Sequence, residues 1–462
     1  MLVKHRTTLY IILGVVLAVG IVLIMPDSFS MQARVALGVI ALMIFWWITR
    51  PVHLAVTALI PLVVNAFYEM IPMKDMLTDY ASPIILLILG ASILTSAWTL
   101  HGLDKRVALN SLTFIGPSVG KQIAIWFTLS LIMSAFMPNM VVVTALCPIA
   151  YSMVKYSKSS ETGTSLYLLL LAIVWGAGIG GFGTPMGGAM NLVAISNIEL
   201  YTGAEFFYNE WVLNMLPYLV VLSLGTIIFL LLIKRDEKSF SGSKAFYQEQ
   251  LLKLEKFSKA EIISLVLLAV AVILSFVRPF YQEILPGFKP PYVFLLIGLL
   301  SFFIKSGDGK RIMDWKYASK NINWGLIVLF AGGLAIGGLI IETGAAAVIA
   351  NLMSDQGNIL IFILIIVAVG MFLANTSSNT AACAVLIPIV ISVAVGLGSS
   401  PMPYIFLAAA ACNSAFALPT SIRAVPVGYG LETGFMFKKG IGAIAVSYIV
   451  LVVTGYIFIV LV

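Results

Sequence analysis

Asn375-Thr376-Ser377-Ser378-Asn379-Thr380 is a run of six small polar residues between two apolar tracts, ILIFILIIVAVGMFLA before it and AACAVLIPIVISVAVGLG after it. In hydrocarbon its hydroxyls, amides and backbone groups would lack partners, at a cost of several kcal/mol each. The run must therefore sit inside protein or line a wet cavity. Two apolar arms meeting at a polar point describe a re-entrant hairpin, and the rest of the chain is read against that tip.

The apolar tracts continue over the whole chain. Of 462 residues, 61% are hydrophobic and 10% charged, and the mean hydropathy is +1.06. Such a composition belongs to a polytopic membrane protein rather than a soluble domain. A transmembrane β-barrel is excluded because the apolar runs are continuous instead of alternating. The net charge of +7 reflects Lys and Arg in cytoplasmic loops, not nucleic-acid binding. Cys147, Cys383 and Cys412 lie in apolar stretches with no metal spacing, and His5, His53 and His101 are scattered. No cofactor is implied. The run Leu9–Met25 follows Lys4-His5-Arg6 but lacks a small-residue cleavage site, so it reads as the first span.

Read in order, the chain gives an all-α polytopic membrane protein with about eleven transmembrane helices plus two re-entrant hairpins in two inverted repeats. Residues 1–82 are N-terminal spans, mainly scaffold, with one continuous span expected at 53–68. Residues 83–210 form the first repeat. Residues 211–323 are connecting spans around a polar loop at 234–259, again mainly scaffold. Residues 324–462 form the second repeat. Gly90 and Gly102 are spaced like Gly332 and Gly344, and each pair is followed by an interfacial stretch. Then comes an apolar segment with an Asn-containing tip, Pro138-Asn139-Met140 or Ser378-Asn379-Thr380. A span broken at Thr and Pro follows each, at Thr184-Pro185 and Pro419-Thr420. Paired broken helices in corresponding positions point to a transporter site.

Charge placement fits this plan. With the N-terminus inside and both tip segments returning to their own side, 22 Lys and Arg lie inside and four outside, with Arg423 in the membrane. The first hairpin is then cytoplasmic, the second is on the outer side, and the C-terminus is outside. Gly307-Asp308-Gly309-Lys310 lacks the spacing of a phosphate loop and reads as a cytoplasmic turn.

The tips carry the chemistry. Helix ends expose unpaired N–H groups and partial positive charge, where a carboxylate can dock. Asn139, Ser377, Ser378, Asn379 and Thr380 add amide and hydroxyl groups. An isolated Asn or Ser in a span is ordinarily a helix–helix hydrogen bond; a polar run at a break is not. Arg423 follows Pro419 in the second broken span, where an intramembrane charge costs about 2.5–3.5 kcal/mol on insertion scales. It reads as a partner for substrate carboxylate, or as a fixed cation where a free one would otherwise bind. Snorkelling to the surface is the alternative.

Ser378-Asn379-Thr380 at a hairpin tip resembles the Ser-Asn-Thr signature of the divalent anion/sodium symporter family of di- and tricarboxylate carriers. Thr184-Pro185-Met186-Gly187-Gly188-Ala189-Met190-Asn191 is similar to that family's Thr-Pro-x-Gly-x-Pro-x-Asn break, with Ala189 in place of proline. The resemblance implies a homodimer in the lipid bilayer of the cell membrane, each protomer with a dimerising scaffold and a transport domain moving like an elevator. It adds Thr184, Pro185 and Thr420 to the substrate pocket. Three departures matter: the first tip lacks the Ser and Thr hydroxyls, the first break lacks a proline, and the second break carries Arg423. Each removes oxygen ligands or adds positive charge. The expectation is therefore exchange of C4/C5 dicarboxylates without sodium, with a sodium-coupled dicarboxylate or sulfate symporter as the alternative. A membrane-embedded enzyme would need a nucleophile paired with a base, and the spans hold none.

Overall fold

The computed structural model describes residues 2–254, 256–307, 309–345 and 358–461. The described residues are helical and contain no strand beyond two isolated bridges. The interfacial stretch expected after Gly344, and Asp308 of the expected cytoplasmic turn, lie outside the described residues.

Leu2–Ile24 (α1), apolar beyond its basic first turns, and Met31–Thr49 (α2), mostly apolar, pack on each other. Ser30 caps α2 by accepting from the Ala33 amide at 3.1 Å. The span expected at 53–68 is instead two short helices, Leu54–Thr57 (α3) and Ile60–Phe67 (α4). Pro61, which has no N–H to give to the Thr57 carbonyl, separates them. Met73–Tyr80 (α5) leads to Pro83–Leu100 (α6), and Leu103–Leu112 (α7) follows across a left-handed Gly102.

Val119–Phe136 (α8) and Asn139–Tyr156 (α9) come next, then Thr164–Gly180 (α10) and Ala189–Thr202 (α11), with a 3-10 turn at Pro185–Gly187 between the last two. Tyr208–Leu232 (α12) precedes the polar loop, which folds into Ser243–Leu252 (α13). Lys259–Phe276 (α14) starts with a capping box between Ser258 and Glu261. Glu261 also accepts from Arg106 Nε at 2.6 Å, tying α7 to α14.

Arg278–Tyr281 (α15), Pro290–Leu300 (α16) and Trp315–Asn321 (α17) lead to Trp324–Glu342 (α18). The last elements are Ile359–Thr376 (α19), Asn379–Gly396 (α20), Met402–Cys412 (α21) and Thr433–Tyr456 (α22). Between α21 and α22 the chain makes two 3-10 turns, Ser421–Ala424 and Pro426–Tyr429, after the expected break at Pro419-Thr420. Pro426 interrupts the ladder there, and Gly430 ends the second turn at φ 93°.

Among the described residues, eleven helices are long and apolar enough to cross a membrane, four of them α8, α9, α19 and α20. Four shorter apolar segments, Leu54–Phe67, Thr164–Gly180, Pro290–Leu300 and Met402–Cys412, join the remaining seven. The two halves correspond in detail. Each helix pair, α8–α9 and α19–α20, has arms of 18 residues joined by two residues. Pro148 and Pro388 each occupy the tenth position of the second arm. Gly102 and Gly344 both adopt left-handed φ, 72° and 76°. A Cβ at Gly90 would lie 2.4 Å from the Phe294 backbone, and one at Gly332 2.5 Å from the Ala58 carbonyl. Both glycines therefore permit close helix contact at matching places.

Candidate functional site

At the first tip, α8 ends at Phe136, Met137 is extended, and Pro138 turns the chain into α9. Asn139 opens α9. Its Oδ1 accepts from Ser134 Oγ at 2.7 Å. Gly181 makes room for this amide, because a Cβ there would lie 2.5 Å from Asn139 Oδ1. Thr184 donates its hydroxyl to the Ala135 carbonyl, and Asn191 Nδ2 donates to the carbonyls of Gly181 and Thr184 at 2.7 and 2.8 Å. The first tip and the first break are thus one hydrogen-bonded unit. Asn191 Oδ1 is buried there with no hydrogen-bond partner.

At the second tip, Ser378 is the N-cap of α20 and accepts from the Ala381 amide at 3.2 Å. Asn379 Nδ2 donates to Asn413 Oδ1 at 3.3 Å. Asn375 Oδ1 accepts from the amides of Phe416 and Ala417, both at 3.0 Å, so this tip is also tied to its break.

Arg423 is 2% exposed and has no carboxylate partner among the described residues. It donates to four oxygens: the carbonyls of Leu418 (2.8 Å), Ala415 (3.2 Å) and Ala374 (3.3 Å), and Thr420 Oγ1 (2.6 Å). It does not snorkel. Arg50, the left-handed C-cap of α2 at φ 51°, donates to the Ser377 and Thr376 carbonyls at 2.6 and 3.5 Å.

A cavity of about 700 Å³ lies where these elements meet. Pro138, Asn139 and Met140 of the first tip line it together with Ser378, Asn379 and Thr380 of the second. Residues 186–189 of the first break and Ser421, Ile422 and Arg423 of the second complete that side. Ser92, Thr95, Ser96 and Thr99 of α6 add a polar stripe at helical spacing. Of the residues expected from the sequence, Asn139, Ser378, Asn379, Thr380 and Arg423 come together on one wall. Thr184, Pro185, Ser377 and Thr420 do not line it; the Thr184 and Thr420 hydroxyls tie each break to its tip through the Ala135 and Asn375 carbonyls, and the Ser377 hydroxyl donates to the Leu373 carbonyl of its own helix.

Sequence reasoning missed His53, Asp104, Tyr317, Asn321 and Asn323, which also line the cavity. Asp104, Tyr317, Asn321 and Asn323 come from segments that read as interface or loop, and His53 from the first position of the span expected at 53–68. No pattern along the chain marks which of these segments face one another, so no signal in the sequence singles them out.

Comparison with known proteins supplies the family. The family model described as citrate transporter matches residues 44–411. The chain belongs to the citrate transporter family. It is a multi-pass membrane transporter, not an enzyme, and the resemblance to the divalent anion/sodium symporters agrees with this membership. A sodium-dependent dicarboxylate transporter, SdcS, of Staphylococcus saprophyticus is 28% identical over 364 residues, covering 75% of this chain and 69% of the relative. SdcS of Staphylococcus aureus is 27% identical over 337 residues, covering 70% of this chain and 65% of the relative. The chain thus spans about two thirds of these relatives' length. In overall fold it is similar to the YdaH transporter of Alcanivorax borkumensis, with a TM-score of 0.53, 11% identity and coverage of 86% and 88% of the two chains. MtrF of Neisseria gonorrhoeae, described as illuminating a class of antimetabolite efflux pumps, has a TM-score of 0.56, 13% identity and coverage of 91% and 95%. At these identities the likeness concerns the fold alone.

Proposed function

We propose that this transporter carries C4/C5 dicarboxylates, of the succinate, malate and 2-oxoglutarate type, by secondary active alternating access. The observation that carries the reading is the meeting of Asn139 and Ser378-Asn379-Thr380 in one cavity beside Arg423. Two helix N-termini supply N–H donors and partial positive charge for two carboxylates. The Asn amides and Ser and Thr hydroxyls add directed donors, and the guanidinium supplies long-range attraction. A volume of about 700 Å³ holds a small diacid with its water. The names of the two SdcS relatives support the same substrate class.

For coupling, those names support sodium symport, and so does the buried Asn191 Oδ1, a hard oxygen with no hydrogen-bond partner. One observation favours a second reading, exchange without sodium. The oxygens of the second break already hold the Arg423 guanidinium, so a built-in cation stands where a free one would bind. Uptake of labelled succinate into empty and into succinate-loaded vesicles, with and without a sodium gradient, separates the two. Sodium-driven uptake into empty vesicles supports symport. Sodium-indifferent uptake that requires internal diacid supports exchange. No uptake of any diacid in either format overturns the substrate class.

The two matched helix pairs support re-entrant hairpins in inverted repeats, with residues 83–210 and 324–462 as the transporting units and the remainder mainly as scaffold. An elevator movement, a homodimer, a cytoplasmic N-terminus and an outer C-terminus complete the reading. They rest on the family resemblance and on the charge placement.

A further inference from the structure

Among the described residues, Asp104 is the one acidic residue lining the cavity. It is the second residue of α7, 7% exposed, and forms no ion pair among the described residues. Its Oδ1 accepts from the Lys105 amide at 2.8 Å. An acid in the first turn of a helix is ordinary. A buried, unpaired acid in the wall of an anion cavity is not, since burial without a counter-ion is costly. Asp104 also lines a second, adjoining cavity of about 430 Å³ between α7, α9 and α13. The two cavities share Thr99, Asp104, Thr144 and Ala145, so Asp104 stands at their junction.

We propose that Asp104 is a specificity-determining residue that penalises trianions relative to dianions in this cavity. The proposal rests on the reading of the cavity as a carboxylate site. The electrostatics follow from the placement of charges. Arg423, on the tip side, attracts every carboxylate, and a dicarboxylate satisfies it as well as a tricarboxylate does. The third charge of a tricarboxylate brings no new cation contact and meets the Asp104 carboxylate. One added unit charge at about 10 Å, at an effective dielectric constant between about 20 and about 80, changes relative affinity by roughly twofold to fifteenfold.

The groups facing Asp104 do not cancel it. Lys105 on its own helix supplies an amide and a partly compensating charge, and Tyr317 of α17 faces it as a neutral phenol. From α6, α9 and α13 the lining residues near it, Thr99, Thr144, Ser152 and Gln250, are uncharged. Burial raises the Asp104 carboxyl above the ordinary carboxylate range, against the opposing effect of the Lys105 amide. The penalty is therefore full when Asp104 is ionised and fades as acidification protonates it.

The test is competition by succinate and by propane-1,2,3-tricarboxylate in labelled-succinate counterflow. It uses reconstituted full-length wild type, Asp104→Asn, Asp104→Glu and Thr99→Asp, from about pH 8 down to about pH 5. In Asp104→Asn the tricarboxylate should gain roughly twofold to fifteenfold relative to succinate. The gain should shrink at high salt and towards low pH, and Asp104→Glu should keep wild-type selectivity. Thr99→Asp adds a carboxylate to the shared wall and should move selectivity further against the tricarboxylate, which decides the matter if Asp104→Asn fails to fold. Unchanged selectivity in an active Asp104→Asn or Thr99→Asp overturns the proposal. Absence of succinate counterflow in wild type overturns the dicarboxylate reading beneath it.

Discussion

Arg50 and Arg423 donate to the same helix end. Arg50 Nη2 reaches the carbonyl of Ser377, the C-cap of α19, at 2.6 Å, and Arg423 Nη2 reaches the Ala374 carbonyl in its last turn at 3.3 Å. Carbonyls at a helix C-terminus have no partner within the helix and carry partial negative charge, so cations stabilise them. The two differ in setting. Arg423 is buried and makes four bonds, whereas Arg50 is exposed and makes two.

Arg423→Ala should therefore cost far more than Arg50→Ala. Each buried acceptor left bare costs about 1–3 kcal/mol. The expected result for Arg423→Ala is a clear drop in Tm in detergent and loss of measurable succinate counterflow. Arg423→Lys should recover part of the Tm and little affinity, because an ammonium lacks the planar fork that spans several acceptors. Thermal unfolding and counterflow on the same preparations check both.

Gly181→Ala should damage the first tip from a residue that does not itself line the cavity, by pushing on Asn139, which does. Its Cβ would come within 2.5 Å of Asn139 Oδ1, so the amide must shift. Overpacking of this kind costs about 1–3 kcal/mol. The expected outcome is a KM for succinate raised at least about fivefold with helical content unchanged, measured by initial uptake rates and circular dichroism.

Ser134→Ala tests the same amide from the other side. It removes the hydroxyl that donates to Asn139 Oδ1 at 2.7 Å. A neutral hydrogen bond contributes about 0.5–1.5 kcal/mol. The KM should rise about twofold to tenfold, and the double variant with Gly181→Ala should cost less than the two effects combined.

Asp236 gives a pH dependence of stability. Although burial opposes it, hydrogen bonds from the Ser165 hydroxyl and amide bring the Asp236 carboxyl below the ordinary carboxylate range. A depressed folded-state value stabilises the protein above the unfolded value of about 3.9 and loses that contribution as pH falls through the folded value. Wild type should melt above Asp236→Asn at neutral pH, and the two Tm curves should converge as the pH drops below about 3.9.

Much of the architecture was legible because hydrocarbon forbids unpaired polar groups. The tip at Ser378-Asn379-Thr380, its weaker counterpart at Asn139, the breaks at Thr184 and Thr420 and the buried Arg423 all follow from polar residues in apolar runs. Rotation about a helix axis was not legible. Thr184 and Thr420 point their hydroxyls at backbone carbonyls rather than into the cavity. Asp104 and Tyr317 reach the cavity from segments whose composition reads as surface, and His53 from the first position of an expected span. The split at Ala58-Leu59 was missed because Pro61 was counted as one apolar residue in a span, although it removes a hydrogen bond.

Arg423 has an electrical consequence. A guanidinium that belongs to the polypeptide stays with its site whether or not substrate is present. With Asp104 ionised in the wall of the same cavity, the guanidinium leaves the unloaded site neutral, and a dianion brings it to −2. Each elementary charge crossing a potential of 100 mV exchanges about 2.3 kcal/mol with the field. In the alternating access proposed above, the membrane voltage therefore acts on the filled site and leaves the unfilled one alone, so that substrate itself couples the carrier to the field.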